Sequence, residues 1–489
     1  MRMSLGSQRM PTTITTTSFL SIIELGTSVN DDFDEKKNQV LGGFVRSIVL
    51  YGVVSPLDRL TDRGRNLAQE ARMSERIVVV GHSAITCLGR DLGTTWDGLV
   101  SGRSGLARHS VLTPESFLQD VGGIVEDFGP GSSSEDPAVA KLGARFIHLS
   151  LAAARAAWSD AGLDGDRVDP ERVAVVVGSA LGGQDLLDTE QARMAKRRSL
   201  AISPFVIPGL IINQAAGQVA QHLGLNGPSV APANACASGG HAIALGAMFL
   251  RAGEADFALC GAGESTFTPP VVNGFATMKA LLPRRADDRS TTDPGQSSRP
   301  FSVDRAGFVL AEGAGMVTLA TESAANRLGL TIQAEYVGHA LNTDGFHVSL
   351  PSKEKIIRCL TTALRQADVR PDEIDYYNAH GTSTIMNDRI ETEVVKTVFG
   401  EAASKLPVSS IKGAIGHSLG AASAIEAAVC VRALLEQMIP PTINHIPDPE
   451  LDLDYVPGEA RAARLDTVMT ASFGFGGTNN ALIFRRWNR

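Results

Sequence analysis

Residues 172–178 read RVAVVVG, a β-branched run with no polar position alternating along it. A strand with one face in water alternates apolar and polar side chains, so such a run belongs to a strand covered on both faces. Residues 77–81 (IVVVG) and 255–261 (ADFALCG) have the same character, and helical stretches at 146–161 and 356–367 lie between strands. Doubly covered strands alternating with helices imply a layered α/β fold. At 489 residues, and roughly 150 residues per domain, the chain is long enough for two or three units.

Residues 1–72 stand apart. They open rich in Ser and Thr and then carry an acidic cluster at 31–35, which disfavours a transit peptide, and no secretory signal pattern begins the chain. The character changes at Met73, so 1–72 are expected to be an appendage of unknown role. The remainder reads as two halves, 73–330 and 331–489, joined near 322–332. PANAC at 232–236 runs into an Ala-rich helix at 243–252, and SSIKG at 409–413 leads through a Gly-rich turn into another at 421–436, a faint internal repeat.

A net charge of -8 without a long Lys/Arg block argues against nucleic-acid binding. No apolar run reaches the ~20 residues that span a bilayer. The cysteines Cys87, Cys236, Cys260, Cys359 and Cys430 are odd in number and form no CxxC pair, which argues against a disulfide framework or zinc site and favours a cytoplasmic setting. No metal and no bound cofactor are expected.

Cys236 lies in NACASGGH (234–241), with small neighbours that leave room for a substrate and a buried helix following. At the first turn of that helix, unpaired N–H groups would stabilise a thiolate, the nucleophile of thioester chemistry. A buried, inert thiol is the equal alternative; for the other cysteines, expected inside strands or helices, the inert reading is favoured. His380, in NAHGTST (378–384), follows a strand and opens a loop of small hydroxyl residues, which suits either a site or a solvated turn. Lys412, in SSIKGAIGHSLGA (409–421), is half-buried and needs a carboxylate, for which Glu391 is the candidate. SFGFGGTNN (472–480) is a backbone-exposing loop that can present an oxyanion N–H, or a plain turn between two strands.

Together these segments resemble the β-ketoacyl-acyl carrier protein synthases, above all the elongating synthase II type. RPFSVDRAGFVLAEGAG (299–315) and the closing SFGFGGTN add to the likeness, which runs from about Ile77 to Phe484. The resemblance implies the thiolase fold, duplicated halves in a five-layer α/β/α/β/α sandwich, usually dimeric. It implies decarboxylative condensation of malonyl-carrier protein with an acyl-enzyme, with acyl carrier protein as partner.

Roles follow by position. Cys236 would be the acylated nucleophile; His380 and His417 would bind the malonyl thioester carbonyl; Lys412 would support them, with Glu391 and Asp388. The N–H groups of Cys236 and Phe475 would form the oxyanion hole, with Phe475 also a gate. Thr382, Thr384 and Ser349 would contact the pantetheine arm, and Leu181, Val206 and Phe275 the acyl chain. Lys279, and less so Lys196, Arg197 and Arg198, would dock the carrier. The initiating synthases carry Asn where His417 stands. Ile385-Met386-Asn387 replaces the usual Pro-Leu-Gly, and Val206 stands where a Phe of the partner subunit is common. These departures leave open a second pathway, a polyketide or polyene ketosynthase paired with a chain-length factor, instead of a homodimer in fatty acid synthesis.

One rival uses different chemistry. Gly416-His417-Ser418-Leu419-Gly420 matches the G-x-S-x-G nucleophile elbow of hydrolases and acyltransferases, with Glu426 or Glu436 and His445 as triad partners. It requires a strand running directly into Gly416.

Overall fold

The computed structural model describes residues 75–488 apart from 114, 130–136, 138, 164–166, 198–199 and 284–292. The segment 1–72 and Arg198 therefore lie outside the described residues.

The N-terminal half contributes β1 (Ile77–Ile85), β2 (Val173–Gly178), β3 (Ser229–Val230), β4 (Phe257–Glu264) and β5 (Gly313–Thr321). The C-terminal half contributes β6 (Ala334–Thr343), β7 (Tyr376–Asn378), β8 (Val408–Ser409), β9 (Thr467–Gly474) and β10 (Thr478–Arg486). Each set of five is ordered alike from the join outward, β1-β5-β4-β2-β3 and β6-β10-β9-β7-β8. The two sets meet edge to edge through the antiparallel pairing of Ile77–Val79 with Ala334–Tyr336.

The helices repeat the plan. α1 (Arg145–Asp160) and α2 (Gln214–Leu223) cover the outer face of the first set; α4 (Lys353–Ala367) and α5 (Ile385–Phe399) cover that of the second. α3 (Ser238–Ala252) and α6 (Ala422–Glu436) pack against each other between the sets, giving five α/β/α/β/α layers.

The uninterrupted apolar strands now have their explanation. Side chains alternate across a strand. Along β2, Val173, Val175 and Val177 enter the outer core with α1, while Ala174 and Val176 enter the central core with α3 and α6. In β9 and β10, Val468 and Leu482 face the centre, and Met469 and Ile483 face α4. Both faces are dry, so apolar residues dominate, and buried polar ones such as Ser83 and Thr318 are hydrogen-bonded to backbone carbonyls. The middle layer is tight: a Cβ on Gly239 of α3 would stand 2.7 Å from the Ala424 nitrogen of α6. The sequence places these elements within a few residues, with strands 77–81 and 255–261 extended to Ile85 and Glu264. Cys87 departs from expectation, lying half-buried in a turn after β1; Cys260, Cys359 and Cys430 lie in β4, α4 and α6.

Candidate active site

Both middle-layer helices begin at one point, and the chemistry gathers there. Between β3 and α3 the chain makes a 3-10 turn, Ala235–Ala237. Ala235 is left-handed, φ 48°, a conformation unfavourable for a residue with a Cβ. Hydrogen bonds hold it: the Ser238 hydroxyl donates to the Ala235 carbonyl at 2.7 Å and accepts from the Asn234 N–H at 2.8 Å. The Thr478 hydroxyl donates to the Asn234 carbonyl at 2.9 Å. The strained turn points the Cys236 side chain into a cavity of about 490 Å³.

The Cys236 sulfur stands 3.0 Å from Nε2 of His417. The His380 and His417 rings meet nearly perpendicular, with centroids 5.4 Å apart. One donor atom from each of the three residues falls within 4.8 Å of the others.

Cys236 also belongs to an apolar cluster with Phe308 and Leu419, against which Leu181 and Phe275 pack. Burial in that cluster pushes the thiol up to about 12; the Lys412 charge and the Phe475 N–H act weakly against it. Sequence alone expects a helix end to favour a thiolate here; Cys236 stands in the 3-10 turn that runs directly into α3, and its burial acts in the opposite direction. Both histidines are held well below the ordinary imidazole value, by burial first and by the Lys412 charge second. They are neutral near pH 7, so each carries one ring N–H to donate and one nitrogen able to accept.

His380 is positioned through its backbone. Its N–H and that of Gly381 each donate to the Glu391 carboxylate at 2.8 Å, and its carbonyl accepts from Lys412 Nζ at 2.7 Å. Lys412 does not pair with Glu391, as expected from sequence, but with Glu426 of α6, and both side chains are buried. The correction is topological. Glu391, on α5, reaches the near side of the β7 end, while Glu426 approaches from the middle layer. Burial raises Glu391 to about 7 and Asp388 to about 6; the Asp388 carboxylate accepts the Phe301 N–H at 2.8 Å.

Glu426 and Glu264 carried no role in the sequence reading of this chemistry. Glu426 had a legible signal, a carboxylate alone in an otherwise apolar helical stretch. Glu264 ends an apolar strand; its carboxylate accepts from Ser179 Oγ (2.9 Å), Ala180 N (2.6 Å) and Gly420 N (3.2 Å). It thereby ties the loop bearing Leu181 to the turn after His417.

Phe475 is partly exposed on the loop between β9 and β10, its ring centroid 6.2 Å from that of Phe275. Gly476 and Gly477 are left-handed, φ 79° and 72°, the turn chemistry that the Gly-rich motif supplies. Leu181, Phe275, Ser349, Thr382, Thr384 and Lys279 all line the cavity. Val206 does not: it is buried in the short helix Val206–Leu210, outside this chain's cavity lining. Lys196 and Arg197 are exposed at the end of helix Gln184–Arg197, also outside it.

The elbow reading fails on geometry. The short helix Lys412–Ile415, not a strand, runs into Gly416, and Glu426 is engaged by Lys412. Ser418 is buried, with no hydrogen-bond partner on its hydroxyl among the described residues.

Comparison with known proteins decides the family. Residues 74–325 match the N-terminal domain and 333–445 the C-terminal domain of β-ketoacyl synthase. The chain belongs to the β-ketoacyl synthase family. The 3-oxoacyl-[acyl-carrier-protein] synthase 2 of Coxiella burnetii is 37% identical over 414 residues, covering 84% of this chain and 98% of that protein. Among solved structures, the ishigamide ketosynthase/chain length factor is 31% identical with a TM-score of 0.77, covering 85% of this chain and all of its own. A type II polyketide ketosynthase in complex with its acyl-carrier protein and bound to a hexaketide is 28% identical with a TM-score of 0.76, covering 84% and 100%. The fold of this synthase is thus that of the thiolase-type condensing enzymes.

Proposed function

We propose that this synthase elongates acyl chains by decarboxylative Claisen condensation, taking both substrates as thioesters of an acyl carrier protein. The carrying observation is a buried thiol 3.0 Å from one neutral imidazole, with the second imidazole edge-on to the first, on an apolar cavity floor.

With the thiol neutral at rest, acylation is coupled to proton removal. His417 Nε2, 3.0 Å from the sulfur, is placed to take that proton as sulfur attacks the acyl thioester carbonyl. The N–H groups of Cys236 and Phe475 stabilise the tetrahedral oxyanion, and the carrier thiol leaves with the proton. Malonyl thioester then enters the emptied channel. Its carboxylate departs as CO₂, and the electron pair becomes an enolate whose oxygen accepts from the His380 N–H and, once the ring proton of His417 has moved to Nε2, from His417. Neutral imidazoles suit this step, since a donor is needed and a strong base is not. The enolate carbon attacks the acyl–Cys236 carbonyl, the carbon–sulfur bond breaks, the departing sulfur takes a proton from solvent to restore the neutral thiol, and the β-ketoacyl thioester leaves on the carrier.

Lys412 and Glu391 hold His380 from both sides, and Asp388 holds the segment at Phe301. Thr382, Thr384 and Ser349 line the channel for the arm, and Leu181 and Phe275 bound the acyl end.

The three donors also have the spacing of a metal site. The reaction as written needs no metal and no bound cofactor, so a chelator should leave turnover unchanged. The likeness to a 3-oxoacyl-[acyl-carrier-protein] synthase 2 favours fatty acid elongation. The likeness to ketosynthases solved with a chain length factor supports a second reading, a polyketide ketosynthase subunit in a heterodimer. A homodimer goes with the first. Among the described residues no helix is long and apolar enough to cross a membrane, consistent with a proposed cytoplasmic setting.

The test is mass spectrometry of carrier-bound products from purified enzyme, malonyl-carrier and a panel of acyl-carriers. Expected is the β-keto thioester, two carbons longer. Hydrolysed acyl groups without CO₂ release would defeat the proposal.

A further inference from the structure

Around the cavity mouth the synthase exposes apolar side chains that the chemistry does not use. Ile385 and Met386, in the first turn of α5, are 63% and 51% exposed and line the mouth. Met278 and Leu350, 53% and 43% exposed, line it too. Phe346 and Val348 are more exposed still, at 69% and 74%, and lie just before Ser349 but outside the cavity lining. The Val348 carbonyl accepts the Gly476 N–H at 2.8 Å, which fastens that segment to the Phe475 loop. Apolar residues scattered singly over a surface are ordinary; six converging on one opening mark a contact surface. Among the described residues lining the cavity, Lys279 alone carries a charge, the two histidines being neutral.

We propose that this apolar collar seats the acyl carrier protein, and that the carrier's docking face presents aliphatic side chains around the root of its arm. The inference rests on the condensing function above and names how that function's partner is held. A tethered thioester must travel inward to Cys236, so whatever bears the tether is drawn against the mouth. An arm inside the channel can cover Ile385 and Met386, but it cannot cover Phe346 and Val348, which stand outside; a protein surface covers all of them. Lys279 then contributes to encounter and the collar to residence. Charge at a rim acts mainly on association and is screened by salt, whereas apolar contact is not.

The test compares steady-state kinetics on malonyl-carrier protein and malonyl-pantetheine at low and high salt. The proteins are the parent chain, Ile385→Ser/Met386→Ser and Phe346→Ser/Val348→Ser. The expected result is a KM for malonyl-carrier raised about tenfold in both variants at both salts, the size of losing a contact worth about 1.4 kcal/mol. kcat is expected to change little, and Phe346→Ser/Val348→Ser to keep the parent's kinetics on malonyl-pantetheine, which also shows that it folds. An unchanged KM for malonyl-carrier in both variants overturns the inference. So does an equal rise on malonyl-pantetheine, which would make the collar a rest for the arm. A parent chain that releases CO₂ from neither substrate overturns the condensing function itself, a result distinct from either.

Discussion

The Lys412–Glu426 pair offers the sharpest perturbation, because both partners are fully buried and His380 hangs from one of them. Removing either charge alone, as Lys412→Met or Glu426→Leu, leaves the other buried without its partner, which costs about 3–5 kcal/mol. At roughly 2.1 cal/mol/K of unfolding entropy per residue, a folded body of about 400 residues converts that loss into a melting temperature lower by roughly 4–6 °C. The double variant buries two apolar chains of similar volume and should melt near the parent, so the cycle should show a coupling close to the sum of the two single losses, about 6–10 kcal/mol.

The sign with pH follows from Glu426. Burial raises its pKa above the ordinary 4.5, and Lys412 is what lowers it again. In Lys412→Met the folded-state pKa rises further. The folded carboxyl then holds its proton more tightly than the unfolded one, so this contribution is fully present below pH 4.5 and is lost as pH climbs through the folded value. The deficit of Lys412→Met against the parent should therefore be larger at pH 8 than at pH 5. Stability and chemistry should also separate: the double variant regains its melting temperature but not decarboxylation, since the His380 carbonyl has lost its anchor. Calorimetry at two pH values and CO₂ release measure both. Single variants costing under about 1 kcal/mol, or a double variant less stable than either single, would refute the reasoning.

Cys236→Ala should form no acyl-enzyme by intact mass while retaining malonyl decarboxylation; an acyl-sized mass shift on that variant would remove the assignment. With the thiol pushed up to about 12, iodoacetamide should label parent Cys236 slowly at neutral pH, the rate still climbing at pH 9–10; a plateau near pH 7 would mean a resting thiolate. His380→Ala should spare acylation but cost about 2.7–4 kcal/mol in condensation, as for a lost oxyanion donor, whereas His417→Ala should also slow acylation, read by single-turnover kinetics. Lys279→Glu should raise KM for carrier-bound substrate, more at low salt, where the Debye length is about 30 Å, and leave a pantetheine thioester unaffected; equal damage with both would place Lys279 in the active site instead.

Much of the layered fold was legible because strands dry on both faces leave an unmistakable pattern: the valines of β2 read as doubly covered before any partner was known. Locally, Cys236 and His380 each left a site and a plain structural role equally open, and only the family resemblance proposed that they meet His417; the structure brings the three side chains together.

The structure decided what depends on distance across the chain. Glu391 and Glu426 are both carboxylates on helices; the apolar stretch around Glu426 signals that it needs a buried partner, but only the packing of α6 between the two halves brings it to Lys412. The state of Cys236 is the clearest case. A helix end nearby suggests a thiolate, and that suggestion is a property of the local chain. The apolar cluster of Phe308, Leu419, Leu181 and Phe275, gathered from distant segments, removes water from the sulfur. Desolvation depends on everything that surrounds an atom, so it is settled only when the chain has closed around it.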